Sequence, residues 1–185
     1  MRFRLLTWPI LIGTALPGAV AEAAPRDPTG VWLVQDRRAR VRVEKCGPAQ
    51  DQLCAFVVWL PSGDKNPTVD ANNPDPKKAT RPILGHQIML GLKAEDDRYE
   101  GLIYNADDGR SYDVTVWLER PGNLKVKGCL LSFLCSTETW TSVSDVATGQ
   151  LTAATGAPGG PTPDPEWAVK PSPAGAPGRD AKPRL

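Results

Sequence analysis

From Gly30 to Ser144 the sequence is a succession of short runs rich in β-branched and aromatic residues, and none carries the 3.6-residue period of an amphipathic helix. The runs are Val31 to Gln35, Ala39 to Cys46, Leu53 to Leu60, His86 to Lys93, Arg98 to Tyr104, Arg110 to Glu119, Asn123 to Cys129 and Ser136 to Ser144. Asp108-Gly109 and Pro121-Gly122 mark tight reversals, because glycine accepts the positive φ that such turns require. A chain of short strands with short connections has to deal with its sheet edges, and closing an eight-stranded sheet removes them. The expected fold is therefore all-β: an eight-stranded antiparallel up-and-down barrel, with a β-sandwich as the alternative.

Within the strands, Val41 and Val43 alternate with Arg40, Arg42 and Glu44, which predicts one buried and one wet face. Tyr112, Val114, Val116 and Leu118 likewise share a face. Leu53 to Leu60 is apolar on both faces. Its outer side requires a cover, either from this chain or from a partner.

The segments flanking the strands differ from them in kind. Residues 1–23 carry Arg2 and Arg4, an apolar run of about 16 residues from Leu5 to Val20, and small residues ending at Ala21 or Ala23. This pattern predicts a cleaved signal peptide and a periplasmic or secreted protein. The run is broken by Pro9 and Pro17 and is short for a membrane span of roughly 20 residues, so no membrane anchor is expected. Residues 147–185 are rich in Pro, Gly and Ala, with Trp167 as their one aromatic, and are expected to form a disordered tail because they offer little apolar surface to bury. Random-coil scaling gives such a tail a reach on the order of 30 to 35 Å. Residues 24–146 have the size of one domain.

Cys46, Cys54, Cys129 and Cys135 are an even set in a chain expected to be exported, which favours disulfides. Three pairings are possible. Cys46 with Cys54 and Cys129 with Cys135 is preferred, since each couple brackets a short segment between strands, and each loop would contribute about 2 to 3 kcal/mol. A four-cysteine zinc site is disfavoured because neither couple has the C-x2-4-C spacing. Without residues 1–23 the chain has 20 basic and 20 acidic side chains and no block of like charge. Nucleic acid binding therefore lacks its electrostatic warrant.

Three blocks, "DANNPDPKKATRPILG" (Asp70 to Gly85), "GLIYNADDGRSY" (Gly101 to Tyr112) and "TETWTSV" (Thr137 to Val143), together with Cys46-Gly47 and "LCAFVVWLP" (Leu53 to Pro61), resemble the bacterial exported family known as domain of unknown function 2147. The resemblance runs from Gly30 to Val143. It implies a lipocalin-like (calycin-like) barrel in the periplasm or outside the cell, and no established activity. Gly30-Val31-Trp32 is similar to the Gly-x-Trp start of lipocalins, where the Trp packs at the closed end under an Arg of the last strand. The family reads Trp-Thr-Arg there, whereas this chain has Trp140-Thr141-Ser142, so that guanidinium cover is absent.

The loop Asp70 to Pro76 sets carboxylates and amides on a backbone stiffened by Pro74 and Pro76. It suggests a ligand site in which Asp70, Asn72, Asn73, Asp75 and Arg81 meet Tyr104, Asn105 and Asp108 of the next hairpin, and Tyr112, at one open rim. The competing view, weighed more heavily, is that these Asp and Asn side chains only build Asx turns. Calcium is disfavoured, because an EF-hand loop needs Gly at its sixth position and a bidentate Glu where Arg81 stands. No metal or other cofactor is expected.

Enzyme signatures are thin. Ser62 to Lys65 has S-x-x-K spacing, but Pro61, Gly63 and Pro67 preclude the helix that would put both on one face. His86 is the only histidine, and a cysteine nucleophile would require an unpaired thiol. The expectation is a non-enzymatic binder of a small, partly apolar molecule. The alternative is an envelope interaction protein that uses the doubly apolar strand Leu53 to Leu60 and the Pro-rich tail to engage another protein or cell-wall material.

Overall fold

The computed structural model describes residues 24–63, 67–130 and 133–165. The segment read as a signal peptide lies outside them. Eight strands follow in chain order: β1 Gly30–Leu33, β2 Arg40–Cys46, β3 Gln52–Trp59, β4 Gln87–Glu95, β5 Arg98–Asn105, β6 Arg110–Arg120, β7 Asn123–Leu130 and β8 Leu134–Ser142. Each pairs antiparallel with its neighbour, and β8 returns to β1 through Trp32 opposite Ser142 and Leu33 opposite Thr141. The ring is closed; the sandwich alternative falls.

In such a ring the β1–β2, β3–β4, β5–β6 and β7–β8 connections share one end, and the other three share the opposite end. The second end is filled. Trp32, Val43, Leu53, Leu92, Tyr99, Val116 and Leu124 pack there as one core with Val41, Val126 and Trp140. The Trp32 indole donates from Nε1 to the carbonyl of Pro28 at 2.9 Å, so the indole N–H is satisfied without an arginine cover. Both predicted disulfides are formed, Cys46–Cys54 between β2 and β3 and Cys129–Cys135 between β7 and β8. At the β6–β7 reversal Gly122 has φ 83° and at the β5–β6 reversal Gly109 has φ 70°.

The doubly apolar β3 is explained by what lies outside it. Its outward Cys54, Phe56 and Val58 form a second buried cluster with Val31, Cys46 and Leu151. Leu151 belongs to residues 147–165, which form a strap against the barrel; the expectation of a disordered tail is wrong for this part, and residues 166–185 lie outside the described residues. The strap has no regular secondary structure, so backbone and side-chain groups of the barrel satisfy its polar groups. Leu151 N donates to Val58 O at 2.8 Å, Thr162 N to Gly85 O at 3.1 Å, and Trp59 Nε1 to Thr148 O at 3.1 Å. Arg40 reaches the side chains of Asp145 and Gln150, and Arg42 reaches Ala153 O and Thr155 Oγ1. The face of β2 expected to be wet is thus half-buried, because its two arginines hold the strap.

Candidate functional site

The open end of the barrel encloses a cavity of about 700 Å³, within the size range of small-molecule sites. Strand alternation explains why it exists. Val41, Val57, Ile103, Val126 and Trp140 turn apolar surface into the lumen, while the next lumen positions toward the mouth on the β7–β8 pair carry small residues, Gly128 opposite Ser136. The closed half is filled by large side chains and the mouth half is not. Loops complete the wall with Asp36, Arg38, Ile83, Asp107 and Phe133. The Arg38 guanidinium is held between Asp36, at 2.7 Å, and Asp107, which joins the β1–β2 loop to the β5–β6 turn.

The polar loop and the β5–β6 hairpin do meet, as expected. Asn72 Nδ2 donates to Asp107 O at 2.8 Å, and Gly109 lies so close to the loop that a Cβ there would stand 1.9 Å from Asn72 O. Their side chains, however, turn mostly to one another. Asp70 is fully buried, and its carboxylate accepts from Tyr104 Oη at 2.6 Å, Asn73 Nδ2 at 2.8 Å and Arg81 Nε at 2.8 Å. Arg81 continues to Asp164 of the strap at 2.8 Å, with its guanidinium 5.3 Å from the Tyr104 ring centre. The His86 ring meets Tyr104 edge-on at 5.5 Å. This is a seam that fastens the β3–β4 loop and the strap to the outside of the barrel.

The electrostatics agree with a closed network. Burial pushes the Tyr104 hydroxyl up to about 12, helped by its bond to Asp70. Burial also lowers His86 to about 4, with the nearby Arg81 charge adding to the effect. Each charged member of the seam has an opposite charge or a donor within hydrogen-bond reach, which is the condition under which buried ions are tolerated.

Of the nine residues expected to form the site, Tyr104, Asn105 and Tyr112 contribute to the cavity wall. Asp75 caps Lys77 N at 3.0 Å, Asn73 caps Asp75 N at 2.9 Å, Asn105 caps Asp107 N at 3.0 Å and Asp108 caps Arg110 N at 3.0 Å. These are the Asx turns of the competing view. Asp108 also accepts from the Tyr112 hydroxyl, which that bond holds above its ordinary range. Sequence reasoning missed Asp36, Arg38, Gly128, Ser136 and Glu138. The last three had a signal, because Ser136 and Glu138 share the parity of Trp140, and Gly128 that of Val126.

Residues 30–142 match the family described as "Uncharacterized protein conserved in bacteria (DUF2147)". The barrel is similar to a solved structure described as "Protein HP1028 from the human pathogen Helicobacter pylori belongs to the lipocalin family", with 24% identity and a TM-score of 0.55 over 64% of this chain and 84% of that one. No curated protein matches the sequence.

Proposed function

The chain belongs to the bacterial family DUF2147, and from that membership and the geometry of the barrel mouth we propose that it is a small-ligand-binding protein that holds a partly apolar molecule in its lumen. The observation that carries this reading is the cavity itself: about 700 Å³ at the open end, walled by Val, Ile and Trp side chains and ringed by polar loops. Such a wall supplies contact area and excludes water. The lumen is read as a place for binding, not for turnover.

The two disulfides support an exported setting, where thiols oxidise and remain so. We place the protein in the periplasm or outside the cell on that ground and on the leader-like pattern of residues 1–23. The envelope-interaction alternative loses part of its support, since the outer face of β3 is covered by Leu151 of the same chain.

Native mass spectrometry of the exported protein, purified without detergent from several growth conditions, tests the reading. A bound small molecule that leaves on gentle activation is the expected result. Uniformly empty protein that also fails to take up any apolar compound would count against it.

A further inference from the structure

Resting on the reading of the mouth as a ligand cavity, we propose that its ligand joins an apolar body to a cationic head, an ammonium or guanidinium group that meets Glu138. Among the described residues, four charged side chains line the cavity: Asp36, Arg38, Asp107 and Glu138. Arg38, the one cation among them, is already committed to the two aspartates. An anionic head entering the lumen would have to take it from both.

Glu138 is placed differently. It stands on β8 opposite Val126, on the lumen side shared by Ser136 and Trp140. Its Oε2 accepts from Trp140 Nε1 at 3.0 Å. That bond orients the carboxylate without neutralising it, because an indole N–H is a neutral donor. Among the described residues no basic side chain pairs with Glu138. The mouth therefore presents one oriented carboxylate beside apolar walls, while the single guanidinium of Arg38 is shared by the two other carboxylates and the lining as a whole is net negative. A cation on an apolar stem satisfies both features at once, since the stem removes Val and Ile surface from water while the head stays at the wetter rim.

The test uses three probes of equal chain length: octylammonium, 1-octanol and octanoate. Each is titrated into the full chain at neutral pH and followed by tryptophan fluorescence, to which Trp140 reports directly. Octylammonium is expected to bind about tenfold tighter than octanol, with octanoate weakest, and the gap should narrow at high salt because the mouth is open to solvent. Glu138→Gln keeps a carbonyl oxygen for Trp140 Nε1 and should lower octylammonium affinity to that of octanol, leaving octanol unchanged. Glu138→Lys should invert the order in favour of octanoate. Equal or tighter binding of octanol than of octylammonium to the natural chain, or an order indifferent to both substitutions, overturns the cationic-head assignment while leaving the cavity reading intact. If octanol does not bind at all, the cavity reading itself fails.

Discussion

The barrel mouth and the outer seam are both polar-ringed, and they differ in where their polar groups are spent. In the seam, Asp70, Asn73, Arg81, Tyr104 and Asp164 bind one another, so the polarity fastens loop and strap to the barrel. At the mouth, small residues at Gly128 and Ser136 leave the lumen open, and among the described residues Glu138 has a neutral partner only. A dense run of Asp, Asn and Arg in a sequence is therefore a poor guide to a ligand site by itself. Capacity to bind lies where surface and charge are left unmatched.

That contrast can be broken, most forcefully through the seam. Asp70→Ala removes the acceptor shared by Tyr104, Asn73 and Arg81 and leaves a half-buried guanidinium short of a partner; the expected loss is about 3 to 5 kcal/mol in denaturant unfolding. A loss under about 1 kcal/mol would show that the seam does not hold the fold.

Next in size is the response to acid. His86 is buried and resists protonation down to about pH 4, whereas an unfolded histidine takes a proton near 6.5. The unfolded chain thus binds the proton first as pH falls. Its folded pKa is depressed, so the stability it contributes is present above pH 6.5 and is lost between 6.5 and 4, by on the order of 3 kcal/mol. The charges of Arg81 and Lys78 push it down while those of Asp70 and Asp164 pull it up, so the sharpened form of the experiment compares the natural chain with His86→Gln. A flatter stability profile across that window is the expected outcome for the variant.

Smaller again is the strap. Leu151→Ala thins the cover over Phe56 and Val58 and should cost about 1 to 2 kcal/mol, less than a fully buried leucine because Leu151 is half-buried. Limited proteolysis between residues 147 and 165 should quicken at the same time. The smallest stability effect, below about 1 kcal/mol, is expected from Gly128→Phe, which adds a lumen side chain at a site where an ideal Cβ meets only Tyr112 Cβ at 4.0 Å. Its effect on ligand uptake should be large.

Much of the fold was legible because strands and turns have local causes. Alternation such as Val41, Val43 against Arg40, Arg42, and glycines at Gly109 and Gly122, set the strand count and the reversals, and the short cysteine spacings set the disulfides. The strap was not legible, for a physical reason. It has no period, and its anchors are single contacts between residues far apart in sequence, such as Arg42 with Ala153 O and Arg81 with Asp164. Composition says only that such a segment cannot fold alone. The site was half legible: the meeting of the Asp70 loop with the β5–β6 hairpin came from the chemistry of those blocks, but which groups satisfy one another depends on geometry that no spacing encodes.

The central claim is that the mouth of the barrel, and not the seam, takes the ligand. It is tested most directly by titrating the neutral apolar dye N-phenyl-1-naphthylamine into the natural chain, Gly128→Phe and Arg81→Lys. The account predicts saturable one-to-one uptake by the natural chain, retention in Arg81→Lys and loss in Gly128→Phe. Uptake that survives the filled lumen but disappears when Arg81 is changed would contradict it.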